Sequence, residues 1–252
     1  MRKGIVLFLC VLVVLVAGCA EEETKEVKTA STTPTKTPTP STTQTTPTPA
    51  QTTTYTPTPT PEPKEKIEIL STNSYVDSVG HLHIVGEVKY EGELNANYVE
   101  IIATLYKGGK VVDTGFTYTM LDTLKNGEKS PFEIVFLEPV EMDNYKLQVK
   151  YKSTSIEPYR GISVLSHRGY YDQVGYYHIV GEVKNSGDCK ASYVEIISTL
   201  YNAKGEVIGA AFTYAQLDTL APDETSPFEI IVLQSSGKID HYELATQAKC
   251  MS

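Results

Sequence analysis

The side chains able to do chemistry in this 252-residue chain are four cysteines, five histidines and a scatter of carboxylates. Cys10 and Cys19 lie in and just after an apolar leader, which leaves Cys189 and Cys250 as the thiols of the globular region. Such a pair forms a disulfide, stays reduced as two free thiols, or supplies half of a metal site. His81 and His83 are two residues apart, so a strand would carry both on one face; that spacing suits a metal pair or two ordinary outer-face residues. Asp77/Asp172, Glu87/Glu182, Glu100/Glu195 and Asp122/Asp218 recur along the chain. Paired acids can run glycoside hydrolysis or hold calcium. These are dispersed over strands and turns without a D-x-D-x-D loop, and solvated faces and turn caps account for them. No G-x-S-x-G, Walker-type loop or H-E-x-x-H is present, and no Ser or Cys has a base positioned beside it. No catalytic residue, metal or cofactor is implied, and the chain does not read as an enzyme.

Tyrosine is the remaining group with binding chemistry. Tyr170, Tyr171, Tyr176 and Tyr177 gather within eight positions. Exposed tyrosines stack on sugars or anchor protein interfaces, which makes these four a candidate ligand surface; strand propensity alone also favours Tyr on outer strand faces.

The elements that would position these groups begin after a leader. Arg2-Lys3 form a basic head, Gly4 to Val16 an apolar run, and Val16-Ala17-Gly18 a small-residue exit. This is the layout of a secretory signal, and its run falls short of the roughly 18–20 residues that cross a bilayer as a permanent helix. Leu15-Val16-Ala17-Gly18-Cys19 resembles a prokaryotic lipobox, with Glu21-Glu22-Glu23 following at once. The resemblance implies cleavage between Gly18 and Cys19 and a diacylglyceryl group on the Cys19 sulfur, so that membrane lipid is a partner through Cys19. Two acyl chains hold where one is marginal, each buried methylene contributing about 0.8 kcal/mol. The alternatives are an uncleaved signal anchor or cleavage without lipid.

Thr29 to Pro63 is dominated by Thr, Pro, Ser and Gln, with runs such as Thr37-Pro38-Thr39-Pro40. Proline removes donors and there is little to bury, so no core is expected here. An extended stalk of this length reaches on the order of 100 Å at ~3.1 Å per residue. The composition suits O-glycosylation or a bare disordered linker. No Asn-x-Ser/Thr sequon occurs. The formal charge of −9 argues against a phosphate-backbone partner, so no nucleic acid is expected.

Beyond the stalk the chain repeats itself. His83-Ile84-Val85-Gly86-Glu87-Val88-Lys89 recurs as His178-Ile179-Val180-Gly181-Glu182-Val183-Lys184. Tyr98-Val99-Glu100-Ile101-Ile102 recurs at Tyr193–Ile197, Phe116-Thr117-Tyr118 at Phe212–Tyr214, Leu121–Leu124 at Leu217–Leu220, and Ser130-Pro131-Phe132-Glu133-Ile134 at Ser226–Ile230. Tyr176 stands where the first copy has His81, which weakens a metal pair. Each copy alternates with period two. Ile84, Gly86 and Val88 share a face, as do Val99, Ile101, Ala103 and Leu105, then Phe132, Ile134 and Phe136, then Tyr145, Leu147 and Val149. Ile67 and Ile69 open a further strand, and Val111 to Leu121 reads as another, rich in Thr, Tyr and Phe. Strand sets with one apolar face must cover each other, so the fold class is all-β: two tandem antiparallel immunoglobulin-like β-sandwich domains. The organisation is residues 1–18 signal peptide, 19–65 anchor and disordered stalk, 66–151 the first repeat and 161–250 the second, with Ser153–Arg160 a short joint. In each six-strand copy the second and sixth strands finish at one end of the sandwich, which would bring Cys189 to Cys250. A bridge closing about 60 residues stabilises by on the order of 4 kcal/mol, and Leu94 and Ser153 hold these places in the first copy.

Taken together, the Val-Gly-Glu-Val, Tyr-Val-Glu, Thr-Leu-Tyr and Ser-Pro-Phe-Glu blocks resemble the FxLYD-type domain, a small immunoglobulin-like module of prokaryotic envelope proteins, frequent in archaea. The likeness covers both copies. Leu105-Tyr106 and Leu200-Tyr201 keep the motif, whereas its Phe is Ala103 or Ser198 and its Asp is Lys107 or Asn202. The resemblance brings no catalytic residue with it. Leader, stalk and repeats together are expected to make a membrane-anchored, extracytoplasmic protein displaying two modules to an envelope protein, or capturing a glycan or peptide on the tyrosine-rich surface.

Overall fold

The structure, a computed structural model, describes residues 66–251. The expected signal peptide, Cys19 and the expected Thr/Pro-rich stalk lie outside the described residues.

Two antiparallel β-sandwiches follow one another, and no helix occurs among the described residues. The first module comprises β1 (Lys66–Val76), β2 (Leu82–Glu91), β3 (Asn95–Lys107), β4 (Lys110–Tyr118), β5 (Thr123–Leu124), β6 (Lys129–Phe136) and β7 (Asn144–Thr154). The second repeats the set as β8 (Ile162–Tyr171), β9 (Tyr177–Asn185), β10 (Ala191–Tyr201), β11 (Val207–Tyr214), β12 (Thr219–Leu220), β13 (Thr225–Val232) and β14 (His241–Cys250). Each module pairs a three-stranded sheet, β1-β2-β6 or β8-β9-β13, with a four-stranded one. In the latter, β3 or β10 is central, flanked by β4 and β5 or β11 and β12 on one side and by β7 or β14 on the other.

The period-two reading of the strands holds. Ile84, Val88, Val99, Ile101, Ala103, Leu105, Phe132, Ile134 and Phe136 fill the first core, and Ile179, Val183, Val194, Ile196, Leu200, Phe228 and Ile230 the second. Gly86 and Gly181 pair with Thr72 and His167, one position beyond the register shifts at Ile69/Ser71 and Val164/Ser166. A Cβ on Gly86 would lie 2.5 Å from the Phe132 ring and 2.6 Å from the Ser71 carbonyl oxygen, which is why the repeated Val-Gly-Glu block needs glycine there.

The strand expected over Val111 to Leu121 stops at Tyr118. There the chain leaves the four-stranded sheet: Thr119 N–H donates to Val99 O at 2.9 Å and Met120 N–H to Pro131 O at 3.0 Å. The Ser130 hydroxyl, fully buried, accepts from Leu121 N–H at 2.9 Å; Ser226 does the same for Leu217 at 3.0 Å. Pro131 and Pro227 lie on sheet-edge strands, where a missing donor breaks no ladder.

The two modules pack against each other. The outer face of β1-β2-β6 in the first meets the outer face of β11-β10-β14 in the second, so unlike faces are joined. Val85 forms a buried cluster with Tyr201 and Val207, and Ile197 and Ala245 of the second module join the first module's core. Polar groups lock the register. Tyr201 donates its hydroxyl to Glu87 at 2.8 Å, Val207 N–H donates to the Ser71 hydroxyl at 3.0 Å, and Lys129 lies 3.1 Å from Glu243. The Gln247 amide accepts from Asp122 N–H and donates to Met120 O, both at 2.9 Å. The joint is tied to both sides: Arg160 makes a bidentate pair with Glu128, both contacts 2.9 Å, while the Tyr159 hydroxyl donates to Asn185 at 2.6 Å.

Candidate functional site

Hairpin alternation decides where the four expected tyrosines go. Tyr170 and Tyr171 end β8 and face opposite sides of the sheet. Tyr170 lies on the outer side, stacked on His178 with ring centroids 5.1 Å apart and with Arg168 5.3 Å from its ring centre. Tyr171 meets Tyr177 edge-on at 4.8 Å, and its hydroxyl accepts from Ile239 N–H at 3.0 Å. Tyr171, Tyr176 and Tyr177 line an open cleft of about 940 Å³, whose other wall includes Tyr75 and Asp77 of the first module. Three of the four tyrosines thus share a site, and Tyr170 belongs to another surface. The second wall of the cleft depends on the docking of the modules, so no single copy of the repeat contains it.

Behind that wall is a carboxylate–imidazole cluster. Asp77 accepts backbone N–H bonds from Val79 at 2.9 Å and His81 at 2.8 Å and touches both imidazoles, His81 at 3.1 Å and His83 at 3.4 Å. Burial pushes the Asp77 carboxyl up, but these donors outweigh it and hold it at about 2. His83 also contacts Glu133 at 2.8 Å and stacks on Tyr75 at 4.7 Å. The second module rebuilds the arrangement with Asp172, His178 and Glu229, and there the Glu229 carboxylate raises the imidazole's pKa. His81 and His83 therefore act as partners of the turn carboxylate in a hydrogen-bonded brace. Among the described residues no group of three or more His, Cys, Asp or Glu converges as a metal site.

A second exposed aromatic feature lies on β4 and β11, in segments that composition alone marks only as strands. Phe116 and Tyr118 project outward from β4 and meet edge-to-face at 6.2 Å; Phe212 and Tyr214 on β11 repeat the contact at 6.0 Å. Beside each pair is a bulge tyrosine in the left-handed region, Tyr98 at φ 51° and Tyr193 at φ 49°. Lys152 and Lys249 lie over those two rings, 5.2 Å from each centre. A bulky residue at positive φ is rare, and here it occurs twice in register, which swings each ring out of the ladder and leaves it more than 60% exposed. The signal for these triads was present in Phe-x-Tyr: alternation with Gly115 and Thr117, which face inward, requires both rings to face out.

Cys189 and Cys250 form a disulfide with Cα atoms 5.8 Å apart, linking the turn before β10 to the end of β14. Of the repeated carboxylates, Asp122 and Glu195 approach each other beside Gln247 at the module junction, Glu87 is buried in the interface, Asp77 and Asp172 cap turns, and Glu100 pairs loosely with Lys150. Burial pushes the Glu87 carboxyl up, partly offset by the Tyr201 hydroxyl and Lys129. In comparison with protein-family models and with curated proteins, this chain matches none.

Proposed function

We propose that the chain is a lipoprotein anchored through Cys19 at the extracytoplasmic face of a cell membrane, and that its two modules present a non-catalytic protein-binding surface beyond a Thr/Pro stalk. The supporting observation is the duplicated aromatic triad. Tyr98, Phe116 and Tyr118, and again Tyr193, Phe212 and Tyr214, are large rings held in solvent at matching register positions. Exposed aromatics flanked by cations are the side chains that anchor protein interfaces. The lipobox-like leader and the likeness of both modules to FxLYD-type domains support the location. Two experiments test the two halves. Mass spectrometry of the mature protein should find an acylated Cys19 as the first residue; an intact leader with unmodified Cys19 refutes the anchor. Proximity labelling in the host should recover one protein partner, lost when Phe116, Tyr118, Phe212 and Tyr214 are changed to Ser. Unchanged labelling by that variant refutes the triads as the surface.

A second reading is favoured by the cleft: capture of a glycan or peptide between Tyr171, Tyr176 and Tyr75. It predicts glycan-array or peptide binding that Tyr171→Ala and Tyr176→Ala abolish while the triad variant retains it.

A further inference from the structure

The docking of the modules joins one outer face of the first to the opposite outer face of the second, which leaves one unused copy of each. Among the described residues nothing covers the second module's three-stranded face or the first module's four-stranded face. On both, the residues at the centre of the internal contact are kept. Ser71, Val85 and Glu87, which form the buried side of the internal contact, correspond to Ser166, Val180 and Glu182 on the open face. Ile197, Thr199, Tyr201 and Val207, buried on the receiving side, correspond to Ile102, Thr104, Tyr106 and Val111 on the other. Val207 is 1% exposed and Val111 59% exposed, so identical chemistry is covered in one place and bare in the other.

Two of the differences compensate one another across the contact, while Asn73 to Arg168, Ala245 to Gln148 and Gln247 to Lys150 change its edges. Inside the chain, buried Glu87 receives the Tyr201 hydroxyl, and Lys129 from its own side balances it against Glu243. On the open three-stranded face Lys129 is replaced by Thr225, which removes the cation. On the open four-stranded face Glu243 is replaced by Lys146, which supplies one from the opposite side. Lys146 already lies over the Tyr106 ring, 5.4 Å from its centre. Joining Glu182 to Tyr106 and Lys146 would thus rebuild the centre of the internal contact with one carboxylate and one cation, where the internal centre has two carboxylates and one.

From this correspondence we infer that the open three-stranded face of one chain receives the open four-stranded face of a second copy, continuing the internal contact head to tail. A contact between unlike faces is heterologous, and repeating it closes a ring of chains or extends an open filament. Tyr106 donates to Glu182 of the neighbouring copy, Lys146 pairs with that carboxylate, and Val180 packs on Tyr106 and Val111. The triads' Phe116 stays at the rim, as Phe212 does beside the internal contact. This self-association is separate from capture of a different protein.

Sedimentation equilibrium of the purified full chain, raised toward the ~1 mM effective concentration a short tether provides, tests it. The wild type is expected to associate reversibly. Lys146→Glu and Glu182→Lys should each weaken association at least tenfold while leaving the circular dichroism and melting temperature of the monomer unchanged. An equimolar mixture of the two variants should pair again, because the intact Glu182 face of one meets the intact Lys146 face of the other. A wild type monomeric throughout, variants that associate like the wild type, or a mixture that fails to pair would each overturn the inference.

Discussion

Val85, Glu87 and Pro131 in the first module, and Val180, Glu182 and Pro227 in the second, occupy the same register positions on the same kind of sheet. The first three are buried and the second three reach solvent. The difference arises from what lies across each face, since the strands carrying them are nearly identical. Burial in this chain is thus a property of the pair of modules as well as of each module. A second contrast concerns the end of the sandwich. The second module closes it with Cys189–Cys250. The first has no bridge and is closed by the joint: the Asn95 amide donates to Ile156 O at 3.0 Å and to Glu157 at 3.2 Å, and Arg160 reaches the Thr123 carbonyl at 2.7 Å. Segment 153–160 is therefore part of the first module's packing as well as the route to the second.

The largest expected effect separates the modules by their closure. Reducing the disulfide, or Cys189→Ser with Cys250→Ser, should cost the second module roughly 2–5 kcal/mol. Hydrogen exchange should then rise in β10 and β14 well before β3 and β7; equal loss in both modules would break the distinction. Next comes the shared face. Val85→Ala should destabilise by about 2 kcal/mol through lost burial, and Val180→Ala in the monomer by well under 1 kcal/mol, measured by denaturant unfolding. Equal costs would mean that the two faces are equally covered.

The smallest effect is a pH dependence. The Glu87 pKa is raised by burial, so the folded state binds that proton more tightly than the unfolded chain. Its contribution to stability is therefore unfavourable at neutral pH and improves as pH falls through the raised folded value toward the ordinary 4.5. Glu87→Gln should abolish that component, so the wild-type-minus-variant stability profile, measured by denaturant unfolding across pH, should isolate it; a flat difference profile would contradict the burial of Glu87.

Strand faces were legible because alternation is a local property: Ile84, Gly86 and Val88 had to share a side, and they line the core. The cysteine pairing was legible for the same reason, since strand count and direction determine which ends meet. The docking was not. Val85 and Glu87 are the same letters as Val180 and Glu182, and nothing within one copy says which will be covered. The tyrosine cluster was legible as composition and was divided by geometry, because adjacent strand residues cannot share a face and Tyr170 left the group. The triads are hidden in a segment rich in Thr, Tyr and Phe, where strand propensity is equal on both faces and only the inward turn of Gly115 and Thr117 sends Phe116 and Tyr118 outward. The left-handed φ of Tyr98 and Tyr193 has no local sequence mark such as glycine.

A double-mutant cycle on Glu87 and Tyr201 tests the packed pair of modules most directly. Unfolding free energies of Glu87→Ala, Tyr201→Phe and the double variant give the coupling between residues 114 positions apart that touch only if the modules dock as described. The expected coupling is about 1 kcal/mol or more. Strictly additive single effects would mean the two side chains do not meet, and that the modules are independent beads.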